Sequence, residues 1–204
     1  MNADNFFDQE IILENERARL EPIAEKHFAF LLPIALHTEL WAFTGAKVRN
    51  EADFKRYFNT ALEEKKSGVA YPFAIFDKLN NCYAGSTRLA NISFPNKRLE
   101  IGWTWYHPAV QRTGINKASK FLLLSFGFET LGLNRIELKT SLLNLKSQGA
   151  MLKIGAVKEG VLRSHMINED GLVRDTVYFS FIAPEWPAIK KSIFKEFTDI
   201  AKSR

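Results

Sequence analysis

Apolar positions along the chain change period several times, and each change marks an element. After Asn50 the apolar residues Phe54, Tyr57, Phe58, Ala61 and Leu62 repeat at helical spacing on one face, and Asn50 is a suitable N-cap. Before it, Ile11–Ile23 reads as an extended pair of segments around the polar Asn15 and Glu16. A helix is predicted from Ala24 to about Leu36, interrupted or ended near Pro33. Three strands come next, Pro72–Asp77, Cys82–Asn91 and Leu99–His107, separated by turn chemistry at Lys78–Asn81 and Pro95–Lys97, so this stretch predicts an antiparallel meander.

The period then returns to helical. A loop over Pro108–Gly114 opens into an apolar helix from Ile115 to about Leu131, with Gly132 placed to end it. Arg135–Thr140 reads as a strand, Asn144–Ile154 as a short helix ending at Gly155, and Val157–Arg163 and Val173–Ile182 as strands. A last amphipathic helix, about 187–202, carries Ile189, Ile193, Phe197 and Ile200. Helices come early and between strands, so the class is α/β (α+β) with a largely antiparallel sheet. No repeat or Pro/Gly-rich linker divides the chain, which predicts one domain over residues 1–204.

Composition narrows the function classes. With 46% hydrophobic and 25% charged residues, the chain has ordinary globular composition. Its apolar stretches are too short to cross a bilayer, and the polar start Asn2–Glu10 does not resemble a signal peptide. Cys82 is the single cysteine, and His27, His37, His107 and His165 lack metal-ligand spacing. A cytoplasmic protein without a structural metal or membrane partner is expected. The net charge of +5 suits nucleic acid or an anionic cofactor, but the cations are dispersed among Glu and Asp, which disfavours nucleic acid.

The run from Glu100 to Lys117 carries the most chemistry. A strand enters a short loop containing Gln111, Arg112, Thr113 and Gly114, and a helix opens at Ile115, Asn116 and Lys117. Unpaired N–H groups and the dipole at a helix start favour an anion, so this loop can hold a pyrophosphate. Gly114 permits close approach, while Arg112 and Lys117 add positive charge. Neither a GxxxxGK[ST] nor a GxGxxG pattern occurs, which excludes the usual ATP and dinucleotide loops.

This loop resembles the acyl-CoA loop of the GNAT acyltransferase superfamily, Q/R-x-x-G-x-G/A, through Gln111 and Gly114, with Asn116 in place of the final small residue. Glu100-Ile-Gly-Trp103, Arg135–Thr140, Asn144-x-x-Ser147, Arg174-Asp-Thr-Val-Tyr178 and Glu185-Trp186-Pro187 stand in the order of the RimJ/RimL-like branch, the ribosomal-protein N-terminal acetyltransferases. The resemblance covers roughly residues 11–187. It implies a twisted, mainly antiparallel sheet whose strands Leu99–Tyr106 and Arg135–Thr140 splay apart to take the pantetheine arm of acetyl-CoA. Backbone groups near Trp105 and Tyr106 would bond that arm. It also implies an amine acceptor, a peptide N-terminus or a small amine, and is compatible with a homodimer.

Thioester aminolysis needs a proton acceptor, a stabilised oxyanion and a proton for the thiolate, but no enzyme nucleophile. Cys82 is therefore expected to be an inert core residue. Glu100 is the candidate base, with a surface ion pair to Arg98 or Lys97 as the plain alternative. Asn144 and Ser147 share a helix face. The resemblance places Asn144 on pantetheine and Ser147 near the sulfur as a proton donor, and Asn144 is equally a good N-cap. Lys153 is more naturally solvated than on a phosphate. Strict alternation puts Trp103 and Trp105 on one strand face and Glu100, Gly102 and Thr104 on the other, barring a bulge. The stretch from Pro33 to Asn50 is expected to wall the acceptor side, with Phe43, Thr44 and Gly45 as a mobile part. A CoA-binding sensor without catalysis and a ribosome- or RNA-associated partner protein are the competing functions.

Overall fold

The computed structural model describes residues 5–198. Its strands are β1 (Leu13–Glu14), β2 (Ala18–Pro22), β3 (Ala70–Asp77), β4 (Cys82–Ser93), β5 (Arg98–Tyr106), β6 (Arg135–Ser141), β7 (Val157–Ile167) and β8 (Val173–Ile182). The helices are α1 (Phe28–Ala35), α2 (Glu51–Lys66), α3 (Ile115–Ser125), α4 (Leu145–Lys153), α5 (Trp186–Ile193) and α6 (Lys195–Thr198). All eight strands join one sheet in the order β1-β2-β3-β4-β5-β6-β8-β7. Every neighbouring pair is antiparallel except β5 and β6, which run parallel. Among the described residues, no helix is long and apolar enough to cross a membrane.

Alternation along the strands feeds two cores. One face buries Phe73, Leu89, Leu99, Ile101, Ile136 and Phe179 against α3 and α5. The other buries Ala74 and Trp105 against α1 and α2, through Leu31, Ile34, Phe54 and Phe58. Asn50 caps α2, its Oδ1 accepting from the Asp53 amide at 2.9 Å.

Three boundaries differ from the sequence expectation. α1 contains Pro33, but a 3-10 turn at Glu25–His27 precedes it, so only the second half of the expected helix is α. The long apolar helix is α only to Ser125 and closes with one π turn, Phe126–Thr130, before Gly132. The last helix breaks at Phe194, which is fully buried against the α3 side of the sheet. Ile200 and the rest of the expected helix beyond 198 lie outside the described residues.

The strict alternation expected in β5 is overturned. Ser86 pairs with Trp105 and Arg88 with Gly102, so Thr87 of β4 faces both Trp103 and Thr104 of β5. This is a β-bulge, with Trp103 at a φ of 50°. One extra residue inverts the facing of the strand residues after it. Trp105 is buried against α2, while Thr104 turns to α3, where its Oγ1 accepts from Lys120 Nζ at 2.9 Å. Trp103 stays on the Glu100 side, within 6.0 Å of the same Lys139 ammonium that pairs with Glu100.

Candidate active site

The parallel pairing of β5 and β6 covers only Arg98–Glu100 against Arg135–Glu137. Beyond Glu100 the two strands diverge, leaving the β6-facing edge of β5 open from Ile101 to Tyr106. On its other side β5 is tightly seated. A Cβ at Gly85 would lie 2.0 Å from the Trp105 carbonyl oxygen, so β4 can approach only because that residue is glycine. Trp105 and Tyr106 are both buried, and the Trp105 indole donates to Tyr57 Oη at 3.2 Å. Burial pushes the Tyr106 phenol upward, keeping it protonated. These side chains are core, so only their backbone can face the gap.

The loop at the end of β5 is built by its own side chains. Gln111 Nε2 donates to the Tyr106 carbonyl at 3.1 Å, and Lys146 of α4 donates to Gln111 Oε1. Arg17, anchored on Asp77 at 2.6 and 3.0 Å, donates to Thr113 Oγ1 at 3.1 Å. Arg112 has a φ of 67° and Gly114 a φ of 94°, and Arg112, Thr113 and Gly114 are exposed. No side chain caps Gly114, and the first amide of the ladder is Ala118, bonded to the Gly114 carbonyl at 3.0 Å. The amides of Gly114, Ile115, Asn116 and Lys117 therefore have no acceptor within the helix. A Cβ at Gly114 would meet nothing within 4 Å, so the loop borders open space there.

Two details depart from the expected loop. The Thr113 amide closes a turn on the Val110 carbonyl at 3.3 Å and is not part of the uncapped set. The Lys117 ammonium pairs with Glu196 at 2.5 Å and lies 6.0 Å from the Phe194 ring, so its side chain serves the C-terminal helices. Its amide stays in the first turn. Asn116 is half-buried.

Asn144 caps α4, its Oδ1 accepting from the Ser147 amide at 3.0 Å, and both residues are half-buried. Lys146 sits between them, so its bond to Gln111 brings the first turn of α4 beside the loop. Lys153 is exposed.

Glu100 lies at the point of divergence on the opposite, α2-facing side of the sheet. It is 2% exposed and pairs with neither Arg98 nor Lys97. Its Oε2 accepts from Asn91 Nδ2 at 2.7 Å and pairs with Lys139 Nζ of β6 at 2.9 Å. Arg98 pairs with Glu137 instead. The acceptor-side wall expected from Pro33 to Asn50 is fastened to the turn between β7 and β8. Glu169 N donates to the Gly45 carbonyl at 2.9 Å, Arg174 Nη1 donates to the Phe43 carbonyl at 3.2 Å, and Lys47 pairs with Asp170 at 3.2 Å. Cys82 is exposed at the start of β4, contrary to the core position expected for it, because the turn before it leaves the first residue of the strand uncovered.

Several residues here escaped the sequence reading. Lys120 is 5% exposed, and burial pushes its ammonium down to about 7. Its signal was a lysine set directly against the apolar run Phe121–Leu124. Arg88, Lys139 and Lys146 carried no such signal, because their roles depend on partners far away in sequence.

The arrangement matches known proteins. The family model described as "Acetyltransferase (GNAT) domain" matches residues 17–157. A Bacillus subtilis (strain 168) protein named "Putative ribosomal N-acetyltransferase YdaF" is 32% identical over 106 residues, 52% of this chain and only 57% of that protein. The uncharacterised N-acetyltransferase YoaA of the same organism is 27% identical over 177 residues, 85% of this chain and 97% of that protein. Among solved structures, a GCN5-related N-acetyltransferase from Brucella melitensis superposes with a TM-score of 0.84 at 29% identity, covering 92% of this chain and 85% of that one.

Proposed function

The chain belongs to the GNAT acetyltransferase family, and we propose that it moves an acetyl group from acetyl-CoA to a primary amine. One observation carries this reading: β5 and β6 part after Glu100, and the open edge of β5 leads directly to the uncapped first turn of α3. An open strand edge offers amide and carbonyl groups to an extended chain. A helix start without a cap offers donors to phosphate. The two together fit a long molecule with a pyrophosphate at one end, which is the form of CoA.

Acetyl-CoA supplies the acyl group already activated as a thioester. The chain's own groups then divide the remaining work. The amides of Gly114, Ile115, Asn116 and Lys117 hold the pyrophosphate, with Arg112 adding charge from the exposed side. Gln111 and Thr113 shape the loop through the bonds described above. Main-chain groups at Trp105 and Tyr106 align the pantetheine, and Asn144 contacts it from α4. Glu100 takes the proton of the incoming amine, oriented by Asn91 and Lys139. Ser147 donates a proton or hydrogen bond to the departing sulfur.

The name of YdaF points to a ribosomal acceptor for that protein. For this chain the acceptor is a primary amine entering from the α2 side of the sheet, where Glu100 and Trp103 lie. The test is thiol release from acetyl-CoA with a panel of amines and peptides. Release that depends on the acceptor, with one CoA freed per amide formed, is expected. Acetyl-CoA binding with no release for any acceptor would replace transfer by a sensor role.

A further inference from the structure

A cleft of about 290 Å³ opens on the α2 side of the sheet, next to the Trp103 bulge. Lys47, Asp53, Arg56, Tyr57, Arg88 and Trp103 contribute to its lining. Most of the charge on this lining is already paired. Lys47 is held by Asp170 at 3.2 Å, Arg56 by Asp53 at 2.9 Å, and Glu169 Oε2 accepts from the Lys47 amide at 2.9 Å.

Arg88 is different. It is 1% exposed, and its Nη1 is taken by Glu64 of α2. Its Nε and Nη2 are buried and have no hydrogen-bond partner among the described residues. Those two nitrogens form one edge of the guanidinium, the edge whose parallel N–H groups match the two oxygens of a carboxylate. Glu64 fixes the opposite end, and the guanidinium carbon lies 4.7 Å from the Tyr57 ring and 5.7 Å from the Trp103 ring. The fork is thus oriented before any ligand arrives, and buried charged donors without partners are costly to maintain.

Resting on the acyl-transfer reading, we propose that the acceptor is a small amine that also carries a carboxylate, of amino-acid size, and that Arg88 receives this carboxylate. The volume of the cleft lies at the lower end of the range for small-molecule sites, which suits an amino acid. Trp103 links the cleft to the reaction, since it lines the cleft and forms the bulge beside the opening between β5 and β6. Trp103 is 40% exposed, and the proposal requires its ring to swing aside to admit the carboxylate to the edge of Arg88. An acceptor anchored this way presents its amine toward the Glu100 side of the opening.

The test has two arms, both on the full chain. In the first, without acetyl-CoA, the arginine Nε–H signals are followed by nitrogen-15 NMR, with Arg88→Lys identifying the Arg88 signal. Alanine, leucine and tyrosine are each titrated beside ethylamine, 3-methylbutylamine and tyramine, the same molecules without the carboxylate. The amino acids are expected to shift the Arg88 signal and the amines to leave it in place. An unmoved signal, or equal shifts from both sets, overturns the proposal. In the second arm, kcat/KM for acetyl transfer is expected to be at least about ten-fold higher for the best amino acid than for its amine. That ratio falls toward one in Arg88→Lys, while acetyl-CoA affinity is retained as evidence of folding. A ratio unchanged in the folded variant overturns the assignment, as does a peptide that outcompetes every free amino acid. A carboxylate-dependent shift in a protein that does not bind acetyl-CoA supports the carboxylate site and removes the transferase reading instead.

Discussion

Lys139 of β6 reaches across to Glu100 of β5 at 2.9 Å, just where the two strands cease to pair. The last backbone pairing is Glu100 with Glu137, and the side-chain tie lies two residues further along β6. The opening between the strands therefore begins at an ion pair that is nearly closed to water: Glu100 is 3% and Lys139 16% exposed at the side chain. The same ammonium lies 6.0 Å from the Trp103 ring and 5.9 Å from that of Tyr178. Glu100, the bulge and the cleft are thus parts of one polar cluster on one side of the sheet.

Glu100→Gln removes the proposed proton acceptor while keeping its shape and an oxygen for Asn91. The turnover number is expected to fall about 100-fold or more, with the dissociation constant for acetyl-CoA little changed. Steady-state kinetics with chemistry rate-limiting, together with calorimetry, checks this. Retained turnover would return Glu100 to a purely structural role.

Ser147→Ala tests the other end of the reaction. If Ser147 assists the departing thiolate, turnover falls by about ten-fold or more and KM for the acceptor stays nearly constant. The Asn144 cap survives, because it uses the Ser147 amide and not the hydroxyl. Unchanged turnover would reduce Ser147 to packing.

Gly85→Ala forces a methyl group to within 2.0 Å of the Trp105 carbonyl oxygen. The obstacle is backbone, so β4 and β5 must move apart. A loss of about 1–3 kcal/mol in unfolding free energy is expected by urea titration. Wild-type stability would mean that the strands are held less tightly than their register requires.

Lys120 gives a pH dependence with a definite sign. Burial lowers its folded value to about 7, whereas an unfolded lysine titrates near about 10.4. Between these values the unfolded chain binds more protons, so this group makes stability rise with pH, by up to about 1.4 kcal/mol per unit. Below about 7 both states are protonated and the slope from this group vanishes. Urea midpoints of the wild type and Lys120→Met should therefore diverge between pH 7 and 10, the wild type gaining on the variant. A constant difference would show that the ammonium is solvated.

Much of this was legible in the sequence, and the reasons are local. The strand–loop–helix order around Gln111 and Gly114, the Asn50 and Asn144 caps and the meander before them depend on residues close together in the chain. The bulge at Trp103 was not legible. It depends on how Thr87 of β4 matches two residues of β5, and it moves Trp105 to the opposite face from the one alternation gives. The ion pairs of Lys117 with Glu196 and Arg17 with Asp77 join distant segments, and the first redirects a cation that the sequence alone would leave for phosphate. Cys82 read as core from its residue type, yet its place next to a turn leaves it exposed.

Pyrophosphate binding by the first turn of α3 and its loop underlies the whole proposed function. Calorimetric titration of acetyl-CoA into the wild type and Gly114→Asp tests it most directly. The substitution adds a negative side chain where nothing lies within 4 Å, at a φ of 94° that also strains any residue but glycine. Micromolar binding by the wild type and a loss of about 100-fold or more in a variant that keeps its cooperative unfolding are predicted. Equal affinities in the two folded proteins, or no binding by the wild type, would show that this loop does not hold CoA.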